Sequence, residues 1–181
     1  MEKIKHIFLK YIKGYGDEQK YWDSRWKLGL KNETLTGEYQ KSLVLKINSY
    51  MIQFDCNSFL DLGCGEAQLR NIPGYLGLDF SLEAIKKSRL EEAIFADITN
   101  RIPLPDKSVD MAFAMVVFLH IPPAKIDRAI SEVCRVTKKC VFLVEPKYNP
   151  DLILQKHCFS YDLKAKIQKQ FNGELIIENT S

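Results

Sequence analysis

The stretch Ser58-Phe59-Leu60-Asp61-Leu62-Gly63-Cys64-Gly65 decides how this chain folds. Its apolar half reads as a short buried strand. The glycines that follow permit a tight turn and let a ligand come close to the backbone. Asp61 stands at the end of that strand, and a second acid, Asp79, closes the next apolar run, YLGLD at 75–79. A third, Asp97, sits in AIFADI at 93–98. Any one of these acids could be a turn former. Three of them at three successive strand ends, beside one glycine loop, point instead to a ligand site.

Working outward, the chain after residue 57 alternates short apolar runs with helical stretches. SVDMAFAMVVF at 108–118 and CVFLVEP at 140–146 read as a fourth and a fifth strand. Between strands, SLEAIKKSRLEE reads as a helix capped by Ser81. PPAKIDRAISEVCRVTKK reads as another, with Ile126, Ala129, Ile130, Val133 and Val136 on one face. A helix over about Tyr161–Phe171 and a terminal strand, ELIIENTS, complete the pattern. Strands buried on both faces and joined by helices predict an α/β, doubly wound, mostly parallel sheet with helices on both faces. The last strand is expected as an antiparallel or edge member of a sheet with six strands or a very short seventh. Such sheets bind ligands at the carboxyl ends of their strands.

Residues 1–56 read as a helical N-terminal cap on a core spanning 57–181, within one domain. Ile4, Ile7, Phe8, Tyr11 and Ile12 recur at helical spacing until Gly14 and Gly16. EQKYWDSRWKLG is rich in aromatics, and Leu43, Ile47, Tyr50, Met51 and Phe54 stripe a third helix. With 181 residues the chain fits one domain of roughly 100–200 residues. Its formal charge of +3 is too small to argue for a nucleic-acid partner. Its longest apolar run, Met111–Leu119, is far short of the roughly 20 residues of a membrane span, so no stable membrane insertion is expected. Five cysteines without a C-x-x-C pair suggest reduced thiols and a cytoplasmic protein.

Residues 59–146 resemble the class I S-adenosylmethionine-dependent methyltransferases. FLDLGCGEAQL is similar to that family's first motif and YLGLDFS to its second. ADITNRIPLPDKSVDMAF, VVFLHI and SEVCRVTKK resemble its later segments in order. The resemblance implies a Rossmann-like fold and S-adenosyl-L-methionine as cofactor. It implies that Gly63, Cys64 and Gly65 line the methionine and ribose part of the cofactor and that Asp61 orients the loop. Asp79 would hold the ribose with Phe80 beside the adenine. Asp97 and Ile98 would face the adenine, and Met115 would close the site. The sequence departs from the family at Ala67, where a third glycine is usual, and lacks the glycines after RVTKK. Pro73 leaves room for only about two helical turns after the loop.

Trp22 and Trp26 lie four residues apart, so on a helix they share a face. W-x-x-x-W-x-x-G resembles the lid of thiopurine-type methyltransferases, which implies cover over the methionine end of the cofactor. The other reading is plain packing of both indoles on the sheet. His120 follows the fourth strand directly. It can orient or deprotonate an acceptor, or stand at the cleft rim without a catalytic part. No N/D-P-P-Y/F and no Pro-Cys follows that strand, which argues against amide, adenine and C5-cytosine chemistry. A small-molecule acceptor is the expectation. The alternatives are a nicotinamide-dependent oxidoreductase, disfavoured by the missing final glycine of G-x-G-x-x-G, and a non-catalytic module that binds S-adenosylmethionine. The sequence gives no oligomeric state.

Overall fold

A computed structural model describes residues 18–29, 37–91, 93–149 and 158–180. The amphipathic run of Ile4 to Ile12, with Gly14 and Gly16, lies outside them, as does 150–157. The elements are α1 (Glu18–Lys27), α2 (Gly37–Gln53), β1 (Phe59–Leu62), β2 (Tyr75–Asp79), α3 (Leu82–Ser88) and β3 (Ile94–Phe95). There follow β4 (Val109–Met115), a 3-10 turn (Phe118–His120), α4 (Ile126–Val136), β5 (Thr137–Pro146), α5 (Leu163–Gln168) and β6 (Glu174–Thr180).

The strands form one sheet in the order β3-β2-β1-β4-β5-β6, and every pairing is parallel. The strand order reverses between β1 and β4. The crevice at the carboxyl ends of those two strands is therefore the place where a ligand can enter between diverging connections. The period of two along each strand divides its side chains between the two faces. Phe59, Met111, Phe113, Phe142 and Val144 meet Leu43, Ile47 and Met51 of α2 on one face. Leu60, Leu62, Ala112, Ala114, Val141 and Leu143 meet Ile126, Ala129, Ile130 and Val133 of α4, with Leu163 and Ile167 of α5, on the other. Each fully buried Leu, Ile, Phe or Met contributes about 1.5–3 kcal/mol, which makes this two-sided burial the main source of stability.

Several boundaries differ from the sequence reading. The third strand is two residues long, because Asp97 turns the chain by accepting from the N–H of Thr99 at 2.8 Å. The fourth strand stops at Met115, because Val116 takes a left-handed conformation (φ +56°). The helix before β5 begins at Ile126 and ends at Val136, and β5 starts three residues earlier than expected. There the Thr137 hydroxyl donates to the Val133 carbonyl at 2.7 Å and the chain turns directly into the sheet. Arg89, left-handed at φ +54°, ends α3 early. After the glycine loop no helix forms; residues 65–72 run as successive turns. The β3–β4 connection also lacks a helix. The Arg135 guanidinium fixes it by donating to the carbonyls of Ile102 and Leu104 at 2.9 Å each. The last strand is an edge strand as expected, and it is parallel. No helix among the described residues is long and apolar enough to cross a membrane.

Candidate functional site

One cavity opens at the switch point. Trp22 and Trp26 line it from α1, and Gly63 from the loop after β1. Asp79 and Phe80 line it from the end of β2, and Asp97 and Ile98 from the turn after β3. Met115 and His120 come from β4 and the turn beyond it. Nine of the twelve residues expected at a site thus share one cavity. Asp61, Cys64 and Gly65 lie beneath or beside it.

The glycine loop works by close approach. Gly63 has φ +68°, and a Cβ there would stand 2.7 Å from Val117 Cγ2. Gly65 has φ +55°, and a Cβ there would stand 2.8 Å from the Trp26 ring. A side chain at either position would push out what packs on the loop. The third position, Ala67, is fully buried and keeps the left-handed conformation at φ +55°. The turn is therefore retained at a strain of about 1–2 kcal/mol.

Asp79 ties the loop to the sheet. Its Oδ2 accepts from the N–H of Gly65 at 3.0 Å and its Oδ1 from the N–H of Ser81 at 2.8 Å. Burial pushes its pKa up to about 6, while the backbone donors of Ser81, Gly65 and Phe80 pull it the other way. A carboxylate offers about four acceptor sites, so beyond these backbone donors it keeps acceptor capacity for a ligand. Asp61 is buried as well. It accepts from the Tyr75 hydroxyl at 2.9 Å, and burial pushes its pKa up to about 7. The Cys64 side chain turns inward beside this pair, where burial holds its thiol protonated. Tyr75 is a partner of this buried acid that the sequence did not single out, because a tyrosine at a strand start carries no local signal. Asp97 accepts from the N–H and hydroxyl of Thr99, both at 2.8 Å, so it serves the turn while lining the cavity.

Helix α1 lies across this end of the sheet. Glu18 pairs with Lys125 at 2.7 Å beyond β4. Asp23 accepts from the Ser81 hydroxyl at 2.6 Å and from the N–H of Glu83 at 3.2 Å, at the start of α3. Lys87 donates to the Trp26 carbonyl. The Trp22 indole meets the His120 ring edge-on at 4.9 Å. Both indoles therefore face the cavity rather than the sheet core. His120 also has Cys158 Sγ at 3.8 Å from its Nδ1.

This arrangement can hold a nucleoside with the buried acid, give a backbone approach through the loop, and exclude water with indoles. It lacks the helix N-terminus after the glycine loop on which a dinucleotide pyrophosphate would sit, which weighs against a nicotinamide cofactor.

A family model described as "Methyltransferase domain" matches residues 60–144. No curated protein matches the chain. Among solved structures, an S-adenosylmethionine-dependent methyltransferase from Archaeoglobus fulgidus is 19% identical, with 72% of this chain and 67% of that one covered and a TM-score of 0.54. The [4+2]-cyclase SpnF is 20% identical, with 77% and 60% covered and a TM-score of 0.54. The PH0226 protein of Pyrococcus horikoshii OT3 is 23% identical over 59% of this chain and 53% of that one, with a TM-score of 0.48. The chain thus spans between about half and two thirds of the length of these proteins. At such identities the first two likenesses speak for the fold alone.

The Tyr75–Asp61 bond can be tested by pH. Asp61 has a folded-state pKa raised above the ordinary carboxylate value, so its ionisation costs stability as pH rises towards about 7. The Tyr75 hydroxyl offsets part of that cost. Tyr75→Phe should therefore destabilise the protein by about 1–3 kcal/mol above pH 7, where the buried carboxylate loses a donor. The loss should shrink below pH 6, where Asp61 is protonated in both proteins. Urea melts at pH 5.5 and 8 measure the difference.

Proposed function

Residues 60–144 carry a methyltransferase domain of the class I, S-adenosylmethionine-dependent family, and from that premise we propose that the protein transfers a methyl group to a small-molecule acceptor. The observation that carries the site assignment is the Asp79 carboxylate. It is buried at the cavity, fixed by backbone donors that include the N–H groups of Gly65 and Ser81, and keeps acceptor capacity towards the cavity. The hydroxyls of a ribose are donors that such a carboxylate can accept.

In this reading Asp79 holds the ribose, and Phe80, Asp97 and Ile98 flank the adenine. Gly63 and Gly65, with the backbone of Cys64, make the floor for the methionine part, and Asp61 supports that floor from below. Met115 closes the side towards β4. When bound, S-adenosylmethionine supplies a methyl group on a sulfonium, ready for displacement by a nucleophile. Such a displacement needs in-line alignment and exclusion of water more than acid or base strength. Trp22 and Trp26 serve both needs, since indole faces attract a cation by about 0.5–2 kcal/mol and cover the loop. His120 faces the acceptor side, where its imidazole orients the nucleophile or takes its proton. The acceptor space is bounded by Trp22, His120 and Pro122, which suits a small molecule better than a polymer.

Calorimetry tests the cofactor assignment. S-adenosylhomocysteine should bind and NAD should not. Asp79→Ala would strand two buried N–H groups, so Asp79→Asn is the better probe. It should weaken S-adenosylhomocysteine at least tenfold, or about 1.4 kcal/mol, with melting cooperativity unchanged. Because ribose hydroxyls donate to the ionised form, wild-type affinity should hold from pH 8 to 7 and fall as pH drops through about 6. The Asn variant should lack that decline. Equal affinities across both proteins would contradict the role.

The lid is tested by tryptophan emission. Adding S-adenosylmethionine should shift the signal of the wild type, and the change should be halved or more in Trp22→Phe or Trp26→Phe. Indoles that do not respond would leave α1 a permanently packed helix.

A further inference from the structure

The turn after β4 is held by a group that does not line the cavity. Glu145 stands near the end of β5 and is 1% exposed. Its Oε1 accepts from the N–H groups of Val117 and Phe118, each at 2.8 Å, and its Oε2 faces the N–H of Leu119 at 3.4 Å. Three successive backbone donors thus converge on one carboxylate.

The other side of the turn is held as well. The Leu119 carbonyl accepts from the N–H of Phe159 at 2.7 Å, and the Ile121 carbonyl accepts from the Tyr161 hydroxyl. Inside the turn the N–H of His120 donates to the Val117 carbonyl at 3.0 Å. Val116, which leads into it, is a β-branched residue with φ +56°, a conformation that persists only where the surroundings enforce it. The His120 ring then leaves the turn towards Trp22 and Cys158.

A buried carboxyl group whose partners among the described residues are backbone N–H groups, and whose pKa burial pushes up to about 7, is an expensive way to end a strand. A glutamine or an apolar side chain would fill the same place in β5 at lower cost in desolvation. The carboxylate does something these cannot: it accepts from three successive N–H groups that meet no carbonyl among the described residues.

We infer that Glu145 is a positioning residue for His120, its carboxylate gathering the N–H groups of residues 117–119 into a turn that sets the imidazole on the acceptor side of the cavity. The inference rests on the methyl-transfer reading of that cavity. Glu145 touches neither cofactor nor acceptor; it acts through the turn.

The test uses the full chain with Glu145→Gln and Glu145→Ala, labelled with 15N on the backbone and 13C at histidine Cε1. The glutamine keeps an oxygen for Val117 and Phe118 but loses the charge and sets its amino group against the Leu119 N–H. Amide exchange at residues 117–119 should accelerate at least tenfold in Glu145→Gln, while β1 and α4 keep wild-type rates. The His120 Cε1 resonance should move, since its place beside the Trp22 ring changes. Cys158, next to His120 Nδ1, should react with iodoacetamide at least threefold faster. Glu145→Ala should enlarge all three effects. Unchanged exchange at 117–119 with an unmoved His120 resonance would overturn the inference. So would equal acceleration throughout the sheet, the mark of a merely structural role. Titrating S-adenosylhomocysteine into the same samples separates the two readings. A wild type that does not bind it contradicts the methyl-transfer reading. A wild type that binds it, with His120 unmoved in both variants, overturns the positioning role alone.

Discussion

The Asp79 carboxylate ties the glycine loop after β1 to the end of β2 and the start of α3. Through Oδ2 it takes the N–H of Gly65 and so fixes the loop after β1. Through Oδ1 it takes the N–H of Ser81, whose hydroxyl in turn reaches Asp23 on α1. Strand β2, the glycine loop, the start of α3 and the N-terminal helix are thus linked by three hydrogen bonds about one buried anion. The cost of burying that anion is what pushes its pKa up, and a donor-rich ligand lowers the cost by completing its hydrogen bonds. The same arrangement accounts for the position of α1. The helix is anchored at Ser81 on one flank of the crevice and at Lys125 on the other, so its indoles lie over the loop.

A second buried acid, Glu145, organises the opposite wall. It accepts from the N–H groups of the turn beyond β4, which pair with no strand among the described residues. The two walls differ in what they hold. Asp79 keeps acceptor sites open to the cavity, whereas the contacts of Glu145 lie inside the turn. This division matches a site in which one side binds a nucleoside and the other presents a side chain to a second reactant.

Much of this was legible in the sequence where the signal is local. Phe59–Leu62 followed by two glycines, and Tyr75–Asp79 ending in an acid, fix both the strands and the crevice, since apolar runs and glycines report on their own positions. The stripe from Ile126 to Val136 is legible for the same reason, being set by helical period. Helix ends were less so. The end of α4 at Val136 depends on Thr137 bonding back to Val133 and on pairing with β4. Lysines at 138 and 139, favourable at a helix terminus in isolation, are overridden by the sheet. The contacts of Tyr75 and Glu145 were not legible in the sequence. Each matters through a partner far along the chain, Asp61 for one and the 117–119 turn for the other. The parallel setting of β6 follows from the α5 crossover, a fact of topology that no residue in ELIIENTS encodes.

The central claim is that Asp79 holds the ribose of an S-adenosylmethionine-type nucleoside at the switch point between β1 and β4. A crystal structure of the protein grown with S-adenosylhomocysteine tests it most directly. Both ribose hydroxyls should lie within hydrogen-bond distance of the Asp79 carboxylate, the adenine beside Phe80 and Ile98, and the thioether between Gly63 and the indoles. A nucleoside bound elsewhere, or one whose ribose turns away from Asp79, would contradict it.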